Sequence, residues 1–161
     1  MTILDVVLRL GAAVMAGGTI GLNRDLRNKP AGVRTHALVG LGSALVTILL
    51  ADESDANAVS RVIQGIITGI GFLGAGVILR REGGRTVRGL TTAASVWVVA
   101  ALGIACGLGR WVTVVVGTVL TLAVLLLGGP LEDMVHRLRG RTRSSAEPGR
   151  DRPSGGTTDS T

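Results

Sequence analysis

The stretch VIQGIITGIGFLGAGVIL at residues 62–79 decides the fold, because it carries no charged residue over a length that crosses a membrane. At 1.5 Å per residue a helix of this length rises about 27 Å, close to the ~30 Å of a bilayer's hydrocarbon layer. Similar apolar stretches lie at 3–22, 35–51, 90–108 and 111–128. They lack the 3.6-residue alternation of apolar and charged residues that a soluble amphipathic helix needs. The sequence therefore predicts an all-α, polytopic membrane protein of five transmembrane helices.

The basic residues between these stretches predict the orientation. Twelve of them follow the first, third and fifth stretches: Arg24, Arg27, Lys29, Arg34, Arg80, Arg81, Arg85, Arg88, Arg137, Arg139, Arg141 and Arg143. Only Arg61 and Arg110 lie in the other two connections. Because basic segments stay in the cytoplasm during insertion, we expect the N-terminus outside and the C-terminus inside. The first stretch lacks the positive N-terminal flank of a signal peptide, so we expect it to be retained as a helix.

Composition divides the chain into two parts. Residues 1–130 form the expected five-helix domain, and residues 131–161 form a tail that begins basic and ends rich in Ser, Gly, Pro, Thr and Asp. That tail should be disordered in the cytoplasm, with its basic residues against anionic lipid headgroups. The basic residues lie beside membrane spans without stacking aromatics, so we do not expect a nucleic-acid partner. The single Cys106 excludes an intramolecular disulfide and a zinc site built from cysteines.

Glycine spacing predicts where the helices meet. Three pairs at small-xxx-small spacing are Gly17 and Gly21, Gly65 and Gly69, and Gly103 and Gly107. The densest glycine run lies in residues 69–76 and contains Gly69, Gly71, Gly74 and Gly76. Each glycine costs a helix roughly 0.8 to 1 kcal/mol relative to Ala in aqueous hosts. Either neighbouring helices pack closely there, or the helix breaks and exposes carbonyl groups to a polar path.

Polar residues on the third and fourth stretches allow two interpretations. Gln64 and Thr68 share one helical face, and Thr91 and Ser95 share another. Hydrogen bonds between helices are one explanation, and two facing polar stripes that line an ion pathway are the other. Three acidic residues in an outward loop form a candidate Mg²⁺ site, because hard cations prefer oxygen ligands: Asp52, Glu53 and Asp55. The same residues fit a solvated loop that helps to set the topology.

Several ordered motifs resemble the MgtC/SapB family of bacterial inner-membrane proteins. They are GLNR at 21–24, KPAGVRTH at 29–36, Gly42-Ser43, the glycine run at 69–76 and VRGLTTAA at 87–94. The resemblance covers roughly residues 5–127. It implies a five-helix protein of the bacterial inner membrane that is linked to magnesium limitation and to survival in host cells. It also implies an activity of regulating other membrane proteins, although many relatives are described as transporters.

The resemblance also selects candidate functional residues. Those in the matching motifs are Arg24, Lys29, Arg34, Thr35, His36, Arg88, Thr91 and Thr92. Topogenic charge and lipid anchoring are the alternative roles for the basic ones. His36 is a candidate proton-sensitive switch, because imidazole titrates in the physiological range. The family usually has Glu where Asn23 stands, so a carboxylate beside Arg24 is missing, and Asp25 is a candidate substitute. The longer relatives' folded C-terminal domain is also absent.

These observations predict a regulatory partner of another inner-membrane protein, or of a second copy of itself, within the lipid bilayer. The alternative is a transporter or channel for Mg²⁺ or another ion along the polar faces of the third and fourth helices. We find no catalytic constellation in the sequence, and so we expect neither an enzyme nor a cofactor. We consider Mg²⁺ only as a candidate ligand or signal.

Overall fold

The computed structural model describes the backbone of residues 1–50, 56–80 and 87–144, and the side chains of residues 1–50, 56–78 and 89–129. Its helices are α1 (Ile3–Leu26), α2 (Val33–Ile48), α3 (Ala56–Val77), α4 (Leu90–Gly107) and α5 (Trp111–Ser144). Between α3 and α4, two-residue strands β1 (Leu79–Arg80) and β2 (Val87–Arg88) pair antiparallel, with Leu79 opposite Arg88. The predicted order of five helices is confirmed.

The chain forms two compact units. The first comprises residues 1–125 and holds α1 to α4 and the beginning of α5. The second comprises residues 126–161, of which the structure describes the rest of α5 to Ser144. The predicted boundary at residue 130 and the disordered tail stay predictions.

Four of the described helices are long and apolar enough to cross a membrane: α1, α3, α4 and the part of α5 up to Gly129. The fifth, α2, has 16 residues and would rise about 24 Å, so it is the shortest of the apolar helices. The chain is therefore a multi-pass membrane protein with helices in contact with the bilayer. The helix boundaries differ from those of the apolar stretches. Helix α1 continues through the polar residues Asn23 to Asp25, and α3 begins at Ala56.

Helix α4 is the centre of the first unit, because it contacts α1, α2 and α3 and is the most buried of the spans. Its residues Val96, Val99 and Ala100 are almost completely enclosed. Cys106 is also enclosed and packs with Ala44 and neighbouring small residues.

Two of the three predicted glycine pairs bring α1 and α4 against the backbone of α2. A Cβ placed on Gly17 would lie 2.5 Å from the His36 carbonyl oxygen, and one on Gly21 would lie 2.7 Å from the Gly32 carbonyl oxygen. On the other side of α2, a Cβ on Gly103 would collide with the Gly40 carbonyl oxygen. Glycine is therefore required at these positions, because any side chain would separate the helices.

The ends of α4 lie beside two arginines of α1. At its C-terminal end, Arg9 donates a hydrogen bond from Nη1 to the Gly107 carbonyl oxygen at 2.6 Å. Its Nε also donates to Asp5 Oδ1 at 3.1 Å, so Asp5 and Arg9 form an ion pair within α1. A cation is favourable here because the helix C-terminus carries a partial negative charge. The arginine at the other end of α4, Arg24, has a different environment.

Candidate functional site

Four polar side chains meet in a buried cluster between α1, α2 and α4. Each is less than 5% exposed: Arg24 at 4%, His36 at 0%, Thr92 at 1% and Ser95 at 3%. We call these four residues the polar cluster. The sequence named all of them as candidates for function or helix contact, but it placed Ser95 beside α3 rather than beside α2.

His36 makes hydrogen bonds through both ring nitrogens, and Nε2 joins α2 to α4. Its Nδ1 lies 3.0 Å from the Gly32 carbonyl oxygen, and its Nε2 lies 2.9 Å from Ser95 Oγ. Ser95 Oγ is also 2.8 Å from the Thr92 carbonyl oxygen, to which it donates. The ring is therefore held at both ends inside the protein. No local sequence pattern predicts the pairing of His36 with Ser95, because 59 residues separate them.

Arg24 is buried with only part of its guanidinium paired. Nη2 donates a hydrogen bond of 2.7 Å to Thr92 Oγ1, whereas the buried Nε has no partner. No carboxylate of a described residue forms an ion pair with Arg24, and the charge of its neighbour Arg27 is also positive. Burying a charge without a counter-charge costs several kcal/mol, so the burial of Arg24 lowers the stability of the folded protein unless a partner offsets it.

Asp25 does not replace the missing carboxylate. Its Oδ2 accepts a hydrogen bond of 2.9 Å from the backbone N–H of Val33, so it stabilises the N-terminus of α2. The carboxylate occupies the space that a Cβ on Gly32 would need. The left-handed residues of this connection are Asn28 and Ala31. Glycine at position 32 is therefore needed for the approach of Asp25 and not for a left-handed turn.

The remaining motif residues lie outside the polar cluster. The side chains of Lys29, Arg34, Thr35 and Thr91 are exposed. Thr35 lines an open, mostly apolar groove of about 460 Å³ between α2, α3 and α4, together with Phe72, Gly76 and Val96. Arg88 lies in β2, but its side chain is outside the described residues. Asp52, Glu53 and Asp55 are also outside them, and the described part of the chain holds no group of three possible metal ligands.

Facing polar stripes on α3 and α4, one of the two alternatives, are not found among the described residues. Gln64 and Thr68 are exposed, whereas Ser95 is buried toward α2. The physical reason is that α3 packs on α4 through Ile66 and Ile70. Positions two residues away along a helix point about 200° around its axis, so Gln64 and Thr68 lie on the opposite side.

The same geometry leaves most glycines of α3 without neighbours. The helix is continuous from Ala56 to Val77, so it does not break at the glycine run. A Cβ on Gly74 would be 3.6 Å from the Ala93 Cβ, an ordinary contact. Gly65, Gly69, Gly71 and Gly76 have nothing within 4 Å that a Cβ would meet. The neighbours expected at these four glycines are therefore not within the described part of this chain.

We call the exposed surface formed by Gln64, Gly65, Thr68, Gly69 and Phe72 the outer face of α3. These residues follow one another at spacings of one, three or four and so form one stripe along the helix. Phe72 is 83% exposed, and only 11% of the apolar part of α3 is buried, against 61% for α4. This helix therefore combines small residues and hydrogen-bonding groups on a surface that its own bundle does not cover.

Comparison with known proteins identifies the family. A family model described as the MgtC family matches residues 10–134. SrpB of Synechococcus elongatus is 46% identical over 134 residues, which cover 76% of this chain and 74% of SrpB. The putative magnesium transporter YhiD of Escherichia coli K12 is 43% identical over 129 residues, covering 75% of this chain and 59% of YhiD.

Protein MgtC of Salmonella typhimurium strain 14028s is 42% identical over 127 residues, covering 79% of this chain and 54% of that protein. The chain thus spans little more than half the length of YhiD and of protein MgtC. No solved structure matches it. The extent of the family match, together with the apolar helices, shows that this chain is a multi-pass membrane protein that belongs to the MgtC family.

Proposed function

We propose that the protein regulates another protein of the bacterial inner membrane, whose transmembrane helix docks on the outer face of α3. The observation that carries the proposal is the stripe of exposed glycines flanked by Gln64 and Thr68. The role is one of binding rather than catalysis. The resemblance of the motifs connects it with growth under magnesium limitation and with stress or virulence.

The solvent of these helices is the lipid bilayer. Apolar side chains gain nothing by leaving lipid for another helix, so helices associate through close backbone approach and hydrogen bonds. The open positions of Gly65 and Gly69 allow such an approach at one point of α3. A partner helix seated there would also come within reach of Gln64 and Thr68, whose polar groups otherwise face hydrocarbon. Such hydrogen bonds contribute about 0.6 kcal/mol each on average.

The glycines of α3 also have a cost in helix stability. The glycines of α3 weaken the helix by roughly 0.8 to 1 kcal/mol each relative to Ala in aqueous hosts. At Gly17 and Gly103 the same cost is offset within the chain, because both contact the backbone of α2. At Gly65 and Gly69 we propose that the offset comes from the docked helix. A second copy of the chain would present the same Gly65 and Gly69 and is the alternative occupant that the experiment distinguishes.

A second candidate function is transport of Mg²⁺ or another ion, which the name of the relative YhiD favours. The polar cluster does not support a path between α3 and α4, because its four members lie between α1, α2 and α4. Flux of Mg²⁺ into proteoliposomes containing the purified protein alone would favour this candidate over regulation.

The docking proposal is tested by capture from crosslinked native membranes. A Cβ at Gly65 or Gly69 meets nothing within 4 Å among the described residues, so the double variant Gly65→Leu with Gly69→Leu should insert normally and lose the partner. Gly42→Leu is the matched control, because a Cβ on Gly42 also meets nothing within 4 Å, but on α2. Equal capture of one membrane protein by wild type and the double variant would contradict the proposal. Capture of the same chain only would replace it with self-association.

A further inference from the structure

We infer that Arg24 and the N-terminal end of α4 form a binding site for a phosphate group, supplied by a phospholipid headgroup or by free phosphate. This inference is independent of the docking face on α3, because it concerns the polar cluster on the other side of α4. It rests on a buried cation whose hydrogen bonds are incomplete.

The site carries the positive charge of Arg24. Arg24 is 4% exposed, and its Nε is buried without a partner. Thr92, the one described side chain that accepts from the guanidinium, is neutral. Asp25, the nearest carboxylate in sequence, accepts from the N-terminus of α2. Among the residues that the structure describes, nothing neutralises this arginine.

The second step is the helix end beside it. Thr92 is the third residue of α4, so Arg24 contacts the first turn of an 18-residue helix. The first N–H groups of a helix have no partners within it, and together they carry about half a positive charge. The capping residue, Gly89, has no side chain that could accept from them. A cation and a positive helix end thus lie together, and an anion bound between them would be stabilised by both.

The third step is the chemistry of that anion. A helix N-terminus binds phosphate through its N–H groups, and a guanidinium donates two parallel hydrogen bonds to phosphate oxygens. Arg24 lies in the last turn of α1, next to a connection that holds Arg27 and Lys29. Basic residues at the end of a transmembrane helix lie at the depth of lipid phosphates. A phosphate group therefore satisfies the guanidinium and the helix end at the same time.

The contrast with Arg9 supports this assignment. Both arginines belong to α1, and each contacts one end of α4. Arg9 is neutralised by Asp5 and by the Gly107 carbonyl oxygen at the negative end of the helix. Arg24 lies at the positive end, without such partners among the described residues. A bound anion would supply at Arg24 the counter-charge that Asp5 supplies at Arg9.

The test measures anion-dependent stability of the full-length protein in neutral detergent. Thermal unfolding is followed during titration with phosphatidylglycerol, with inorganic phosphate, and with the zwitterionic lipid phosphatidylcholine at equal concentration. We expect saturable stabilisation of the wild type by the first or second ligand. Stabilisation by inorganic phosphate identifies a free phosphate site, and stabilisation by phosphatidylglycerol alone identifies a lipid site. Failure of both to stabilise the wild type would overturn the inference.

Substitutions locate the effect. Arg24→Gln should weaken the apparent affinity about tenfold or more, because the bidentate charged pair is lost. Lys29→Gln removes the same charge from an exposed position in the adjoining connection and should change the affinity less than about threefold. Equal losses in these two variants would show a diffuse charge effect and contradict a specific site.

Thr92 provides a second test that keeps Arg24 in place. Thr92→Asp puts a carboxylate in contact with the guanidinium and in the first turn of α4, so the protein should be stable without added anion and no longer respond to it. Thr92→Asn has a similar size but no charge, and it should still respond. If Thr92→Asp responds to the anion as strongly as Thr92→Asn, the carboxylate does not occupy the proposed site and the inference fails.

Discussion

Gly103→Ala is the most direct test of how the bundle packs. A Cβ at this position would collide with the Gly40 carbonyl oxygen and lie 2.8 Å from Ser43 Cβ. Gly40 belongs to the backbone of α2, which cannot move aside as a flexible side chain does. The added methyl group must therefore push α4 away from α2.

The magnitude follows from two opposing effects. Overpacking costs about 1 to 3 kcal/mol, and the upper end applies here because the obstacle is backbone. Replacing glycine by alanine in a helix returns roughly 0.8 to 1 kcal/mol. We therefore expect Gly103→Ala to destabilise the bundle by about 2 kcal/mol. Gly65→Ala meets no atom and should be stabilising by up to about 1 kcal/mol.

The assay is equilibrium unfolding in mixed micelles of a neutral detergent and dodecyl sulfate, followed by circular dichroism. Gly42→Ala is the control on α2 itself, because it also meets no neighbour, and it should behave as Gly65→Ala does. Equal unfolding midpoints for Gly103→Ala and Gly65→Ala would refute the description of the contact between α2 and α4.

Three further predictions use other contacts. Arg9→Met removes the charged hydrogen bond to Gly107 and should lower the free energy of unfolding by about 1.5 to 3 kcal/mol in the same assay; Asp5→Asn affects only a half-exposed pair and should cost less than about 1 kcal/mol. If the two variants lose equal stability, Arg9 does not stabilise the end of α4. Ser95→Ala leaves the His36 Nε2 without its partner and should cost about 1 to 3 kcal/mol, and an unchanged unfolding midpoint would contradict the described hydrogen bond. Reporter fusions after Leu26, Asp55, Glu82 and Thr142 test the predicted orientation. A cytoplasmic signal from the fusion after Asp55 would reverse it.

Hydrophobicity and glycine spacing were sufficient to predict the order of the helices and part of their packing. Apolar length identified five helices, because a transmembrane helix must satisfy its backbone within itself and present apolar side chains to lipid. Spacing also identified Gly17 and Gly103 as contact positions. Both inferences depend on local sequence alone.

The facing of the helices could not be predicted in the same way. The pair Gly65 and Gly69 has the same spacing as Gly17 and Gly21, but it has no neighbours within the described chain. Spacing shows that a face can pack closely, and it does not show which helix covers that face. For the same reason the spacing of Thr91 and Ser95 does not predict the contact of Ser95 with His36 of α2.

Three of the four residues of the polar cluster belong to the motifs, but the motifs predict no contacts between them. Arg24, His36 and Thr92 were selected from motifs, whereas the hydrogen bond between Arg24 and Thr92 joins residues 68 positions apart. No local pattern encodes such a contact. The sequence also does not distinguish the buried Arg24 from the exposed Lys29 and Arg34, because all three are basic residues of one segment. Their exposure depends on how α1 and α2 are connected.

The proposed function requires another membrane protein to contact the outer face of α3. A photoreactive residue introduced at Thr68 in living cells detects such a contact, and one at Leu38, an exposed residue of α2, is the control. We expect one discrete crosslinked product of a different membrane protein from position 68 and none of comparable yield from position 38. Crosslinks only to lipid at position 68, or equal products from both positions, would contradict it.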